Sequence, residues 1–132
     1  MNPPLSLRGG DVTIMDLVNL SIKESHEGLV KKKFSCTELT QAYLDRIKKV
    51  EPKINSFVTV TEKLALEQAE AVDKNGVDKK QVLSGVPAAL KDVFCYEGVE
   101  AAASSKILKG YIPPYDATSV ARLKQQGMVL LG

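Results

Sequence analysis

Gly85-Val86-Pro87-Ala88-Ala89-Leu90-Lys91-Asp92 is the stretch on which the fold turns. Five apolar positions follow a glycine and end abruptly in two charges, the pattern of a short buried strand that leaves the interior at Lys91. Pro87 stands near its beginning, where a missing N–H is tolerated.

Reading toward the C-terminus, Glu97-Gly98 suggests a turn, with Val99 to Ala103 as another short strand. Tyr111-Ile112-Pro113-Pro114-Tyr115 must be irregular, because prolines remove donors and fix φ. Asp116 can then cap a helix that turns Ala117, Val120 and Leu123 inward. Gly127 ends it, and Met128-Val129-Leu130-Leu131 is a continuous apolar strand. Strand, helix and strand over residues 86–131 predict a βαβ-type α/β architecture with a sheet covered on both faces. The sheet is expected to be incomplete, with its last apolar strand at an open edge.

Reading toward the N-terminus, the pattern becomes helical. Thr61 can cap a helix lined by Leu64, Ala65, Ala69 and Val72, with Asn75-Gly76 as its stop and 77–82 as a polar loop. Phe57-Val58-Thr59-Val60 is either a β-prone run or an extended lead-in to that helix. Ser35-Cys36-Thr37-Glu38 has the spacing of a capping box, and Phe34 with Leu39 forms the pair of a hydrophobic staple. The spacing of Leu39, Tyr43, Ile47 and Val50 predicts an amphipathic helix over 35–50, ended by Pro52. Ser21-Ile22-Lys23-Glu24 repeats the box and starts a helix with Ile22, His26, Leu29 and Val30 on one face, closed by Lys31-Lys32-Lys33. Residues 1–14 are rich in Pro and Gly and read as a flexible leader, with Met15 a second candidate start and 15–132 the structured part.

Composition bounds the function. The 132 residues carry 44% hydrophobic and 26% charged residues but only 5% aromatics and no Trp, so the core must be aliphatic. Eighteen basic against sixteen acidic side chains leave a net charge of +2, too small to imply a nucleic-acid surface from its field. The Lys31–Lys33 cluster reads as a solvated linker, with nucleic-acid contact the minority alternative. Cys36 and Cys95 show neither metal spacing nor a disulfide framework, which fits a reducing compartment and makes the cytoplasm the expectation. No apolar run has the length of a membrane span.

Spacing alone offers little chemistry, since P-loop, G-x-G-x-x-G, H-E-x-x-H and G-x-S-x-G patterns are all missing. His26 sits mid-helix without a spaced partner and reads as a packing or surface residue. Lys91 is the exception. A lysine directly after an apolar strand can sit where ligands of open α/β sheets collect, and a buried lysine loses its proton readily. The plain alternative is a strand ending in solvent.

Several ordered blocks resemble the amidase-signature family, and within it the A subunits of glutamyl-tRNA(Gln) amidotransferases. They are Leu20-Ser21-Ile22-Lys23-Glu24 with His26-Glu27-Gly28-Leu29, Glu38 to Ile47, Pro52 to Phe57, and Gly85 to Asp92, which resembles the family's lysine-bearing segment. Ser105-Lys106-Ile107-Leu108 and Pro113-Pro114-Tyr115-Asp116-Ala117-Thr118 point to the A-subunit branch. Ala101-Ala102 and Val93-Phe94 depart from the family's usual residues, which puts local hydrogen bonding there in question.

The resemblance implies the N-terminal portion of an α/β/α fold, a mixed sheet flanked by helices and preceded by amphipathic helices. It implies that Lys91 is the base of a lysine–serine–serine relay whose two serines lie downstream of Gly132; Ser104 and Ser105 are not assigned to that relay. It further implies glutamine as the amide substrate, partner B and C subunits, ATP and Mg2+ used by the B subunit, and Glu-tRNA(Gln) as the acceptor reached through the complex. No cofactor or metal is assigned to this chain itself, and no membrane association is implied. An enzyme part, inactive by itself for want of the nucleophile, is one reading. A non-catalytic or degenerate partner-binding module, or a piece of a general amidase, is the other.

Overall fold

A computed structural model describes residues 17–132; the leader and the Met15 start lie outside the described residues. The elements are α1 (Ile22–Val30), α2 (Cys36–Ile54), α3 (Glu62–Asn75), β1 (Pro87–Ala88), α4 (Thr118–Gln125) and β2 (Val129–Leu130).

Both capping boxes form. Ser21 and Glu24 close the first turn of α1, and Ser35 and Glu38 close that of α2, each hydroxyl and carboxylate taking a backbone N–H of the other residue. The first turn of α2 has a further acceptor that local sequence does not reveal. The Asp73 carboxylate, from the last turn of α3, accepts the N–H of Cys36 at 2.7 Å, the N–H of Thr37 at 2.9 Å and the Thr37 hydroxyl at 2.7 Å. An anion held at a helix N-terminus is favoured by both free amides and the macrodipole, so this contact ties the two helices together as antiparallel neighbours.

Three local expectations need correction. Helix α2 does not end at Pro52 but runs through it to Ile54, stopping at Asn55 in the left-handed region at φ 52°. Proline removes one intrahelical donor only, and the last turn is held beyond it by Glu51, whose carboxylate accepts the Phe57 N–H and the Ser56 hydroxyl. Residues 99–103, expected as a strand, are irregular, and of the two readings of 57–60 the extended lead-in is the one observed. Helix α4 is capped at Ala117, not by Asp116, because the Asp116 carboxylate is engaged by the Glu97 N–H and by Lys124.

Strands β1 and β2 pair in parallel, Pro87 opposite Val129 and Ala88 opposite Leu130. The ladder reaches beyond these residues: Gly85 N–H donates to the Gly127 carbonyl at 2.8 Å and Leu90 N–H to the Gly132 carbonyl at 2.9 Å. With α4 as the crossover this is the βαβ unit expected. Side chains alternate across β2. Val129 and Leu131 face a cluster built on Leu29, Phe34, Leu39, Leu44, Ala65 and Ala69. Met128 and Leu130 face a second one with Tyr96 and Val120. The sheet is therefore covered on both faces, as a parallel pair requires.

The outer edge of β2 is not open. Thr61 donates its backbone N–H to the Leu131 carbonyl and its hydroxyl to the Leu130 carbonyl, both at 2.9 Å, and the Gln68 carboxamide oxygen accepts the Leu130 N–H at 2.8 Å. Because Thr61 spends its hydroxyl on β2, it makes no side-chain cap on α3. Among the described residues no helix is long and apolar enough to cross a membrane.

Candidate functional site at the end of the first strand

Gly85 begins the site. Its φ of +77° belongs to the left-handed region, and a Cβ there would press on Leu29, Val72 and Cys36 at 3.0–3.3 Å. The Cys36 thiol donates to its carbonyl at 3.2 Å. Glycine thus lets the chain pass between α1, α2 and α3 and enter β1, which delivers Lys91 to the C-terminal end of the parallel pair.

The backbone at Lys91 is held on both sides. Leu90 is bonded to Gly132, and the Lys91 carbonyl accepts the Phe94 N–H at 2.9 Å. Asp92 receives three amides from one turn: Ala102 N–H at 3.0 Å and Ser104 N–H at 2.9 Å on its two carboxylate oxygens, and Ala103 N–H at 3.0 Å on its carbonyl. The Lys91 side chain is exposed, and its ammonium has no ion-pair or hydrogen-bond partner among the described residues.

The loop after Asp92 is organised without strands. Residues 95–101 run beside 111–117 through Ala117 N–H to Cys95, Gly98 N–H to Pro113 and Ala101 N–H to Tyr111, at 2.8, 3.1 and 3.0 Å. Pro113 and Pro114 have no N–H to return, so no ladder forms. Lys124 closes this clasp, 2.7 Å from Asp116 and 4.3 Å from the centre of the Tyr96 ring. Burial raises the Asp116 carboxyl, but the Lys124 and Glu97 hydrogen bonds outweigh it and hold it below the usual range. At the departures Ala101 and Ala102 both residues are buried, and their backbone amides are bonded to the Tyr111 carbonyl and the Asp92 carboxylate.

Other candidates fall into place. His26 is a packing residue, buried on α1, with its Nε2–H donating to the Asp78 carbonyl at 3.1 Å. Ser105 Oγ accepts the Ile107 N–H within its own turn, and Ser104 contributes its amide to Asp92. The Lys31–Lys33 cluster is exposed. A groove of about 870 Å3 opens between Thr59–Glu67 and Tyr96–Val99; Lys91 does not line it. Sequence reasoning marked Asp92 only as the strand's exit, because its partners lie ten and twelve residues further along.

Comparison with known proteins bears on this geometry. The sequence profile of the family described as Amidase matches residues 38–132. The A subunit of glutamyl-tRNA(Gln) amidotransferase from Pelobacter propionicus is 50% identical over 119 residues, covering 89% of this chain and 24% of the relative. Its namesake from Streptococcus pneumoniae is 48% identical over 118 residues, with the same coverage. Among solved structures, an amidase family protein from Bacillus anthracis superposes with a TM-score of 0.81 at 31% identity, covering 90% of this chain and 24% of that one. The chain thus spans about a quarter of the length of the curated relatives it matches.

Proposed function

This chain belongs to the amidase family, and from that premise we propose that it is the N-terminal part of a glutamyl-tRNA(Gln) amidotransferase A subunit, with Lys91 as the base of its amide-cleaving relay. The observation that carries this reading is the 50% identity to a protein of that name over 89% of the chain. The position of Lys91 at the C-terminal end of β1 supports it, since active sites of α/β sheets gather at that end.

In the proposed reaction Lys91, unprotonated, takes a proton through a bridging serine from a nucleophilic serine, both supplied by sequence beyond these residues. The serine oxygen bonds to the carboxamide carbon of glutamine. The carbon–nitrogen bond then breaks, the nitrogen leaves as ammonia after regaining the proton, and water releases glutamate from the acyl-enzyme. Ammonia passes to a B subunit, which uses ATP and Mg2+ to activate Glu-tRNA(Gln) for amidation in translation; a C subunit completes the complex, in the cytoplasm. The exposure of Lys91 fits this arrangement, because the remaining three quarters of such a protein would supply the cover that desolvates it.

The 132 residues by themselves should release no ammonia from glutamine, as they carry the base without its nucleophile. Fusing them to the remaining three quarters of the Pelobacter propionicus relative should give glutaminase activity that Lys91→Ala abolishes. Glutaminase retained by the Lys91→Ala fusion, or released by the 132-residue chain, would refute the assignment.

A further inference from the structure

We propose that Asp92 is a positioning residue for Lys91, acting through the turn at 102–104; the idea rests on the reading of Lys91 as a base. Three successive residues aim their amides at Asp92, two at its carboxylate and one at its carbonyl. Ala103 and Ser104 both adopt the left-handed region, at φ 47° and 53°. Residues with side chains adopt it in succession only where the surroundings hold them there. Amides converging in this way form a concave anion-binding nest, and the anion in it is the chain's own carboxylate.

Two consequences reach Lys91. The first is geometric: with Leu90 bonded to Gly132 on one side and Asp92 seated in the nest on the other, the lysine's backbone is fixed at both ends. The second is electrostatic. A carboxylate adjacent in sequence could pair with the ammonium and hold its proton, which would oppose its use as a base. Here both oxygens are occupied by amides, and Lys91 has no ion pair among the described residues. The small residues of Ala101-Ala102-Ala103-Ser104 let the turn fold tightly enough to do this.

The test uses the fusion just described, with kcat and KM for glutamine measured at 25 °C. Asp92→Asn replaces one acceptor oxygen with an amide that faces an N–H, which breaks one arm of the nest. It should lower kcat by about tenfold to a hundredfold, as expected for a slightly misplaced reacting group, with KM unchanged within about twofold.

In the 132-residue chain, Asp92→Asn should speed amide exchange at Ala102 and Ser104 while leaving α2 and α3 protected. Should the Asn variant fail to fold in the fusion, Asp92→Glu is read in the same way. Unchanged kcat in Asp92→Asn, beside an inactive Lys91→Ala, would overturn the positioning role and leave the assignment of Lys91 standing. Unchanged protection at Ala102 and Ser104 would overturn it too. Activity in Lys91→Ala would instead remove the reading on which it rests.

Discussion

Gly28→Ala sets two calculable effects of opposite sign against each other. Gly28 lies inside α1, where alanine is favoured over glycine by about 0.8–1.0 kcal/mol from helix propensity alone. The structure argues the other way. A Cβ at position 28 would overlap Cζ of Phe34 and lie 2.5 Å from its Cε1. Phe34 is only 7% exposed and belongs to the cluster that also holds Leu39 and Leu29.

The ring cannot withdraw easily. The connection between α1 and α2 is folded back onto Gly28 itself, whose carbonyl accepts the Lys33 N–H at 2.9 Å, and Phe34 adjoins the capping box at Ser35. Overpacking of this kind costs about 1–3 kcal/mol, and expelling the ring instead would forfeit about 1.5–3 kcal/mol of burial. An overlap this close belongs near the upper end, so the net effect should be destabilisation by about 1–2 kcal/mol.

For a domain of this size that lowers Tm by roughly 3–10 °C. Urea unfolding followed by circular dichroism, with thermal melts as a check, measures it. Phe34→Leu shortens the offending ring, so the double variant should be more stable than the sum of the two single losses predicts. A Gly28→Ala variant equal to the parent, or more stable by the propensity difference, would refute the packing argument.

Asp73→Ala should cost about 1–2 kcal/mol, as it strips the first turn of α2 of an acceptor for two backbone amides and a hydroxyl; a urea midpoint equal to the parent's would show that the Ser35 box suffices. The Cys36 thiol is pushed up to about 12 by burial and then by the nearby Asp73 charge, so iodoacetamide at pH 8 should modify Cys95 and spare Cys36 in the folded chain. The linked stability has a defined sign. The folded value lies above the ordinary 9.0, so the thiol's contribution is complete below pH 9 and is lost progressively from pH 9 to 12. Cys36→Ala should flatten the decline of the urea midpoint across that window, and an undiminished slope would count against burial as the cause.

What could be read from sequence was what sequence neighbours decide. The two capping boxes, the stops at Gly76 and Gly127 and an apolar strand within 128–131, which is formed by Val129–Leu130, depend on residues within four positions of one another, and all appear. The misreadings share a cause. Pro52 is tolerated because Glu51 reaches forward to Phe57, and Asp116 does not cap α4 because Glu97 and Lys124 claim it. Thr61 precedes α3 but serves a strand nearly seventy residues away. In each case a polar side chain had two uses, one local and one distant, and the distant one prevailed. The candidate site divides similarly: Lys91 stands out from its motif, whereas the seat of Asp92 becomes visible only when residues 102–104 fold back onto it.

Those distant uses also connect. Leu130 donates to the Gln68 carboxamide oxygen, and the same carboxamide donates to the Tyr96 hydroxyl at 2.7 Å. Lys124 lies over the Tyr96 ring and is bonded to Asp116, which in turn receives the Glu97 N–H. A continuous polar path thus runs from the outer edge of β2 to the clasp of 95–101 with 111–117, the segment that frames the turn seated on Asp92. Hydrogen bonds in such a network hold one another in place, so the side chains that close the sheet edge also brace the loop beside Lys91. An edge closed in this way offers no row of free amides for a second chain to pair with. The open edge expected from the sequence is therefore closed, and the polar groups that close it also maintain the geometry of the candidate site.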